Sequence, residues 1–281
     1  MRQLSDLAQE RDTMATVLEL TGAFEGIASM HISQIRDRVL ASQKFFGELW
    51  NIYKQIRVDK QFHFGRHRAI TNNKDLLILV TAEGSFSGDI DERVVASAVT
   101  NFDTSTQEIV VVGTHGAAQL AQTHIPYVRS FRLPISDIAI NVAPLVGLVQ
   151  LYKSTTIFYP AYISLSNQEV KSIQMSAWVD ERGKNVTAAA DDISERSYIF
   201  EPSTHAVVDH LERSMINIML GEIIMESKLA QYASRFAAMH AARDKADDSL
   251  SGLKNNYNHA KRRLKDERAK EIINGMRKAA L

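Results

Sequence analysis

The sequence predicts an α/β protein in which a long N-terminal helix and a long C-terminal helix form an antiparallel coiled coil, with an α/β domain inserted between them. Residues 4–58 lack proline and show helical spacing of apolar residues. The middle of the chain holds four of the five prolines and changes to short apolar runs, and a proline-free heptad repeat follows residue 204. The predicted domains are therefore residues 1–60, 70–200 and 204–281.

The N-terminal segment is predicted to be one helix from Leu4 to about Val58. At 1.5 Å per residue, such a helix would be roughly 75 Å long. Because glycines at 22, 26 and 47 weaken it locally, we expect a partner helix to support it. The residues that recur at helical spacing are Met14, Val17, Thr21, Phe24, Ala28, Ile32, Ile35 and Val39.

The middle section has the pattern of a strand, a helix and a second strand. "LLILVT" (76–81) and "EIVVVGTHG" (108–116) are rich in β-branched residues, as expected of strands buried on both faces. An amphipathic stretch at 89–102 lies between them, so a small, partly parallel, Rossmann-like sheet is predicted. Further strand candidates are 154–166 and 170–179, and 135–152 is either a helix followed by a strand or the reverse.

The C-terminal segment is predicted to be a helix capped by Ser203 or Thr204. From Leu229 onward its apolar residues alternate three and four apart, with one polar break at Arg243. A heptad pattern sustained this long is typical of a left-handed coiled coil, and the N-terminal helix is the obvious partner. The predicted seam residues are Phe236, Met239, Leu250, Leu253, Tyr257 and Leu264.

The composition excludes several classes of function. Net charge is zero over 281 residues, which does not favour a nucleic-acid-binding protein. The chain has no cysteine, so disulfides, thiolate nucleophiles and cysteine-ligated zinc are excluded, and a reducing compartment is favoured. No apolar run is long enough to span a bilayer, and the first residues lack the apolar core of a signal peptide, so we expect an intracellular protein with no direct membrane span.

Catalytic and cofactor motifs are weak. No phosphate-binding loop or dinucleotide fingerprint is present, since "GSFSG" lacks the required lysine, and we predict no catalytic residue and no cofactor. His63 and His67 have the spacing of two metal ligands on a helix, but Gly65 lies between them and no third ligand is evident. Asp191 and Asp192 are better explained as a turn or a helix cap than as paired catalytic carboxylates.

Several segments, in order along the chain, resemble the gamma subunit of F-type ATP synthases. They are "LTGAFEGIA" (20–28), "LLILVTAEGSFSGDID" (76–91), "IVVVG" (109–113), "FEPS" (200–203), "YASRFAAMHAARDKADD" (232–248) and "YNHAKR" (257–262). The resemblance extends from about residue 13 to the C-terminus. It implies a non-catalytic central shaft that turns inside a ring of alternating alpha and beta nucleotide-binding subunits. It also implies contacts with an epsilon-like subunit and a membrane rotor ring, in a complex on the cytoplasmic side of the membrane. Such a complex would couple ATP synthesis or hydrolysis to the transport of ions, hydrogen ions among them.

The sequence departs from that family in its charges. Residues 1–40 hold four basic and six acidic residues, a net charge of −2, whereas the family's first helix is usually basic. Met239 and Arg235 stand where the family's last helix normally has an arginine and a glutamate. A gamma-like paralogue of a different rotary machine, or a cytoplasmic coiled-coil scaffold, is therefore the alternative.

A basic segment ends the chain. Residues 254–281 hold nine basic and three acidic residues, a net charge of +6. In the family, basic groups on the shaft face acidic segments of the beta subunits, so the resemblance implies contacts by which charge transmits torque. The residues predicted to contact the alpha/beta ring are Phe24, Lys254, Lys261, Arg262, Arg263, Lys265 and Arg268.

Overall fold

The computed structural model of the protein describes residues 4–56, 72–84, 86–133, 140–175 and 201–279. Within these ranges the chain forms two long terminal helices and a series of short elements between them. The helices are α1 (Leu4–Ile56), α2 (Ile90–Val99), α3 (Thr114–Gln122), α4 (Ala143–Val149) and α5 (Thr204–Ala279). The strands are β1 (Asn72–Val80), β2 (Gln107–Val112), β3 (Arg129–Phe131), β4 (Tyr152–Tyr162) and β5 (Gln168–Gln174).

The long terminal helices confirm the predicted fold class. Helix α1 ends close to the predicted boundary, and α5 runs for 76 residues. Ser203 caps α5, because its Oγ accepts a hydrogen bond from the Ala206 amide at 3.2 Å. Of the two caps that the sequence allowed, the structure selects the serine.

The five strands form one mixed sheet in the order β3-β2-β1-β4-β5. Strand β1 pairs in parallel with both β2 and β4, and β2 pairs in parallel with β3. Strand β5 is antiparallel to β4 and forms an edge. The predicted parallel unit of β1, α2 and β2 is thus confirmed. In the described part of the ambiguous stretch, residues 140–152, helix α4 is followed by the first residue of β4.

Both faces of the central strands are buried, as their continuous apolar sequences predict. Leu76, Ile78 and Val80 face one core, where α4 and α5 supply residues such as Met219 and Ile223. On the opposite face, Leu77 and Leu79 pack in a second core against α2 and α3, with members Val94, Val95, Ala98 and Leu120. The alternation follows the two-residue period of a strand.

Two elements were not predicted from the sequence. Helix α3 contains Gly116 within nine residues, and β3 is only three residues long, so neither has a strong periodic signal. Gly113, at the end of β2, adopts φ = 108°, and a Cβ there would lie 2.1 Å from the Thr81 carbonyl oxygen. Only glycine fits this turn, which leads the chain from β2 directly into α3.

The chain divides into two compact units. The helical unit consists of Met1–Ala28 and Phe236–Leu281, and the α/β unit consists of Ser29–Arg235. In the α/β unit, a further core joins Ile35 and Val39 of α1 to Leu229 of α5. The ring of His31 stacks on that of Tyr232, with centroids 4.5 Å apart.

Candidate partner-binding surface

The helical unit is an antiparallel pair of helices. Arg11 of α1 contacts Tyr257 of α5, and Glu25 of α1 contacts Arg243 of α5. Residue numbers therefore decrease along α5 in the direction in which they increase along α1. Leu7, Thr21 and Ala28 are buried at heptad spacing on α1. This spacing places one stripe of α1 against α5 along the unit.

The predicted seam residues of α5 lie along this pair with graded exposure. Met239 and Leu250 are buried, while Phe236, Leu253 and Tyr257 are half-buried. Leu264 is 37% exposed. Two cations contact the Tyr257 ring: the Arg11 guanidinium carbon lies 4.8 Å from the ring centroid and the Lys261 Nζ lies 5.9 Å from it.

The stripe of α1 that faces α5 does not include every apolar residue that recurs at helical spacing. Val17 and Phe24, which belong to the set that recurs at helical spacing, are 39% and 38% exposed. Leu18 and Glu25, one residue further on, are less exposed than these two. One seam position of α1 is therefore occupied by a carboxylate.

Glu25 belongs to a polar cluster with two residues of α5. Its Oε1 lies 3.0 Å from His240 Nδ1, and its Oε2 accepts a hydrogen bond from Arg243 at 3.0 Å. The Arg243 hydrogen bond holds the pKa of the Glu25 carboxyl below its usual range, and the His240 contact acts in the same direction. The cluster borders a groove of about 700 Å³, and Glu19, Gly22, Asp244 and Asp247 also line that groove.

The outward side of α1 presents apolar residues to solvent. Val17, Leu20, Phe24 and Ile27 are between 38% and 53% exposed and follow one another three or four residues apart. Such spacing places them on one side of a helix. Phe24, predicted as a partner contact, is thus part of an exposed apolar face in the helical unit.

The basic residues predicted to contact partners are all exposed on α5. They are Lys254, Lys261, Arg262, Arg263, Lys265 and Arg268. Apolar side chains are exposed in the same segment, with Ile272 at 61%, Ile273 at 53% and Met276 at 70%. The last part of α5 therefore exposes cations and apolar side chains together.

In the α/β unit, a buried carboxylate organises the carboxyl end of β1. Asp91 accepts hydrogen bonds from the Ala82 amide at 3.0 Å and from the Ser87 hydroxyl at 2.9 Å, and lies 3.0 Å from His115 Nδ1. The Ser87 hydroxyl donates to Asp91 rather than to the imidazole. Since a catalytic serine needs its proton acceptor to be the histidine, this trio is not arranged as a nucleophile and its base.

Helix α5 covers the same end of the sheet. Ser234 Oγ donates a 2.6 Å hydrogen bond to the Ser87 carbonyl oxygen, and Arg235 lies 3.2 Å from the position of a Cβ on Gly84. In open α/β sheets, ligands bind at the carboxyl ends of the strands where the strand order reverses. Here the chain's own helix packs against a loop at that end.

The sequence also offered candidate metal ligands and paired carboxylates. His63, His67, Asp191 and Asp192 lie outside the described residues. Among the described residues, no group of three or more His, Cys, Asp or Glu side chains is arranged to hold a metal ion. None of the described helices is both long and apolar enough to cross a membrane.

The fold defines a class of protein whose terminal helices form an antiparallel coiled coil, with an α/β domain inserted between them in sequence. The chain belongs to the ATP synthase family, whose model matches residues 3–278. The resemblance to gamma subunits that the sequence motifs indicated is confirmed by relatives that bear this name.

Two of these relatives are similar over almost their whole length. The ATP synthase gamma chain of Chlorobaculum parvum is 20% identical over 292 residues, covering 98% of each chain. That of Leptothrix cholodnii is 23% identical over 275 residues, covering 92% of each.

Solved structures share the fold. A chain in the central stalk and c-ring structure of the Tetrahymena thermophila mitochondrial ATP synthase superposes with a TM-score of 0.58 at 16% identity, covering 79% of this chain and 99% of that one. A chain in a Euglena gracilis mitochondrial ATP synthase structure comprising OSCP, F1 and c-ring gives a TM-score of 0.56 at 14% identity, covering 94% of both.

Proposed function

We propose that this protein is the gamma subunit of an F-type ATP synthase, the central shaft that couples nucleotide turnover in an alpha/beta ring to rotation and ion transport. One observation carries this proposal: the family match extends over nearly the whole chain and includes the paired terminal helices. The relatives named ATP synthase gamma chain support the subunit assignment.

In this proposal the chain is not itself a catalyst. Nucleotides bind and react at sites on the alpha and beta subunits, and the shaft gives each of these sites a different neighbouring surface. A partner surface that favours one conformation of a site shifts that site's population toward it. Rotation then moves each site through the same series of conformations in turn.

The helical unit supplies the surface that contacts the ring. Acidic groups on the ring pair with the exposed basic residues of α5, and apolar side chains of the ring contact Phe24. The basic residues are Lys254, Lys261, Arg262, Arg263, Lys265 and Arg268. Charge pairs orient such contacts, and burial of exposed apolar surface stabilises them. The α/β unit would bind an epsilon-like subunit and the membrane rotor ring, so the chain would lie on the cytoplasmic side of the membrane without entering it.

A rotation assay tests this function. Because the chain has no cysteine, a Ser105→Cys substitution in an exposed loop of the α/β unit provides a single attachment point for a bead within this chain. With the alpha/beta ring fixed to a surface, ATP should drive rotation of the bead in one direction. A bead attached to an alpha subunit is the control and should stay still.

ATP hydrolysis in the assembled complex without rotation of the bead would contradict the proposal.

A further inference from the structure

The polar cluster of the helical unit occupies a position where a coiled coil normally places apolar side chains. The Glu25 side chain is only 13% exposed, whereas that of Arg243 is 52% exposed. A carboxylate removed from water needs partners for both of its oxygens. Here His240 and Arg243 provide one partner for each oxygen, both across the pair of helices.

The rest of the seam does not by itself select a partner for α1. Leu7, Thr21 and Ala28 are small or apolar residues at heptad spacing, and Met239, Ala246 and Leu250 are the corresponding buried residues of α5. Apolar heptads of this kind also associate with copies of themselves. A second molecule of this chain could therefore compete for either helix.

The charges distinguish between these arrangements. A parallel pair of α1 helices from two molecules would bring Glu25 against the Glu25 of the second copy. A parallel pair of α5 helices would likewise bring two Arg243 side chains together. The antiparallel pair of α1 with α5 places opposite charges together, and like-charge contacts across an interface carry a substantial energetic cost.

We propose that the pair of Glu25 and Arg243 selects α5, rather than a second α1, as the antiparallel partner of α1, and so disfavours parallel association of like helices from two molecules. His240 assists by contacting the second oxygen of the carboxylate. Arg11 also contacts α5, with its guanidinium over the ring of Tyr257. This role does not depend on the proposed rotary function, because it concerns the chain before any ring is present.

Charge reversal in the full chain tests the proposal. Met14 and Leu253 line one groove of the helical unit, so cysteines at both positions report the pairing of α1 with α5 by forming a disulfide within the chain. In this background, Glu25→Arg and Arg243→Glu should each lower the yield of that disulfide after refolding by about tenfold. Each should also increase disulfides between molecules.

The double variant Glu25→Arg with Arg243→Glu separates partner selection from simple destabilisation. It restores opposite charges, so it should recover most of the disulfide yield within the chain and return the protein to a monomer in sedimentation. Asp248→Arg reverses an exposed charge on α5 away from the seam, and it should behave like the parent.

Single variants that cross-link like the parent would overturn the proposal. A double variant no better than the single variants would also overturn it, even where a single variant fails to fold, because the rescue depends on the pairing itself.

Discussion

Glu25 of α1 accepts a hydrogen bond from Arg243 of α5 at 3.0 Å, although the two residues lie 218 positions apart in the sequence. This contact joins the first and last helices of the chain within the helical unit. It also makes the stability of that unit depend on the ionisation of one carboxyl group.

The first prediction concerns this dependence on pH. Because the pKa of Glu25 is lowered in the folded state, its ionised form stabilises the fold above the unfolded-state pKa of about 4.3. The contribution is lost as the pH falls through the lower, folded-state pKa. At pH 7, Glu25→Gln should therefore lower the melting temperature by about 2–4 °C.

Melting temperatures recorded from neutral pH down to about pH 3 check this prediction. The curves of the parent and the glutamine variant should converge at the acidic end. Glu19→Gln, an exposed residue of the same groove, is the matched control. A constant difference between parent and Glu25→Gln at every pH would argue against the assigned role of the carboxylate.

The second prediction concerns the turn after β2. Gly113→Ala should lower the free energy of unfolding of the α/β unit by about 3 kcal/mol, because a Cβ would lie 2.1 Å from the Thr81 carbonyl oxygen and φ is 108°. Gly147 of α4 has open space around its Cβ position, so Gly147→Ala should be neutral or raise stability by up to about 1 kcal/mol. Urea denaturation measures both values, and equal effects would refute the strain assigned to Gly113.

The third prediction concerns the exposed basic residues of α5. Replacing five of them together by glutamine should weaken binding to the alpha/beta ring. The binding of this variant should also depend less on salt than that of the parent, because fewer charge pairs remain to be screened. The five residues are Lys261, Arg262, Arg263, Lys265 and Arg268. Melting of the isolated chain should change little, since these side chains are exposed. Binding measured at low and high salt provides the test.

Lys153→Gln with Lys171→Gln is the matched control, because both lysines are exposed on strands of the α/β unit. If the control weakens ring binding as much as the α5 set, the contact is not specific to the basic segment.

The fourth prediction concerns truncation. Removing about the last 20 residues should weaken assembly or coupling much more than it lowers the melting temperature of the α/β unit. The described side chains of residues 261–277 are exposed, so few contacts within the chain are lost. Comparing far-UV circular dichroism melts with coupled ATPase activity separates the two effects, and unchanged coupling with an intact complex would count against a shaft.

Much of the fold could be predicted because its periodic signals are long. The heptads of α5 and the continuous apolar runs of β1 and β2 each repeat one spacing many times. Strand β3 and helix α3 gave no such signal because they are short and stabilised by contacts with neighbouring elements. Tertiary packing decides short elements of this kind.

The polar parts of the surface were harder to predict. Arg243 was recognised as a polar break, but its partner Glu25 lies on the other helix, and no local pattern connects them. A search for opposite charges at matched seam positions of the two helices could have found this pair. The network of Asp91, Ser87 and His115 likewise joins residues from separate elements, and its members have no common spacing.

The most direct test of the central claim is the mass of the native complex. The chain would carry an affinity tag on the exposed loop that contains Ser105, and the complex would be purified under gentle conditions and measured by native mass spectrometry alongside its ATPase activity. A shaft should be present as a single copy in an active complex with alpha and beta subunits. A homodimer of this chain alone, without ATPase activity, would contradict the account.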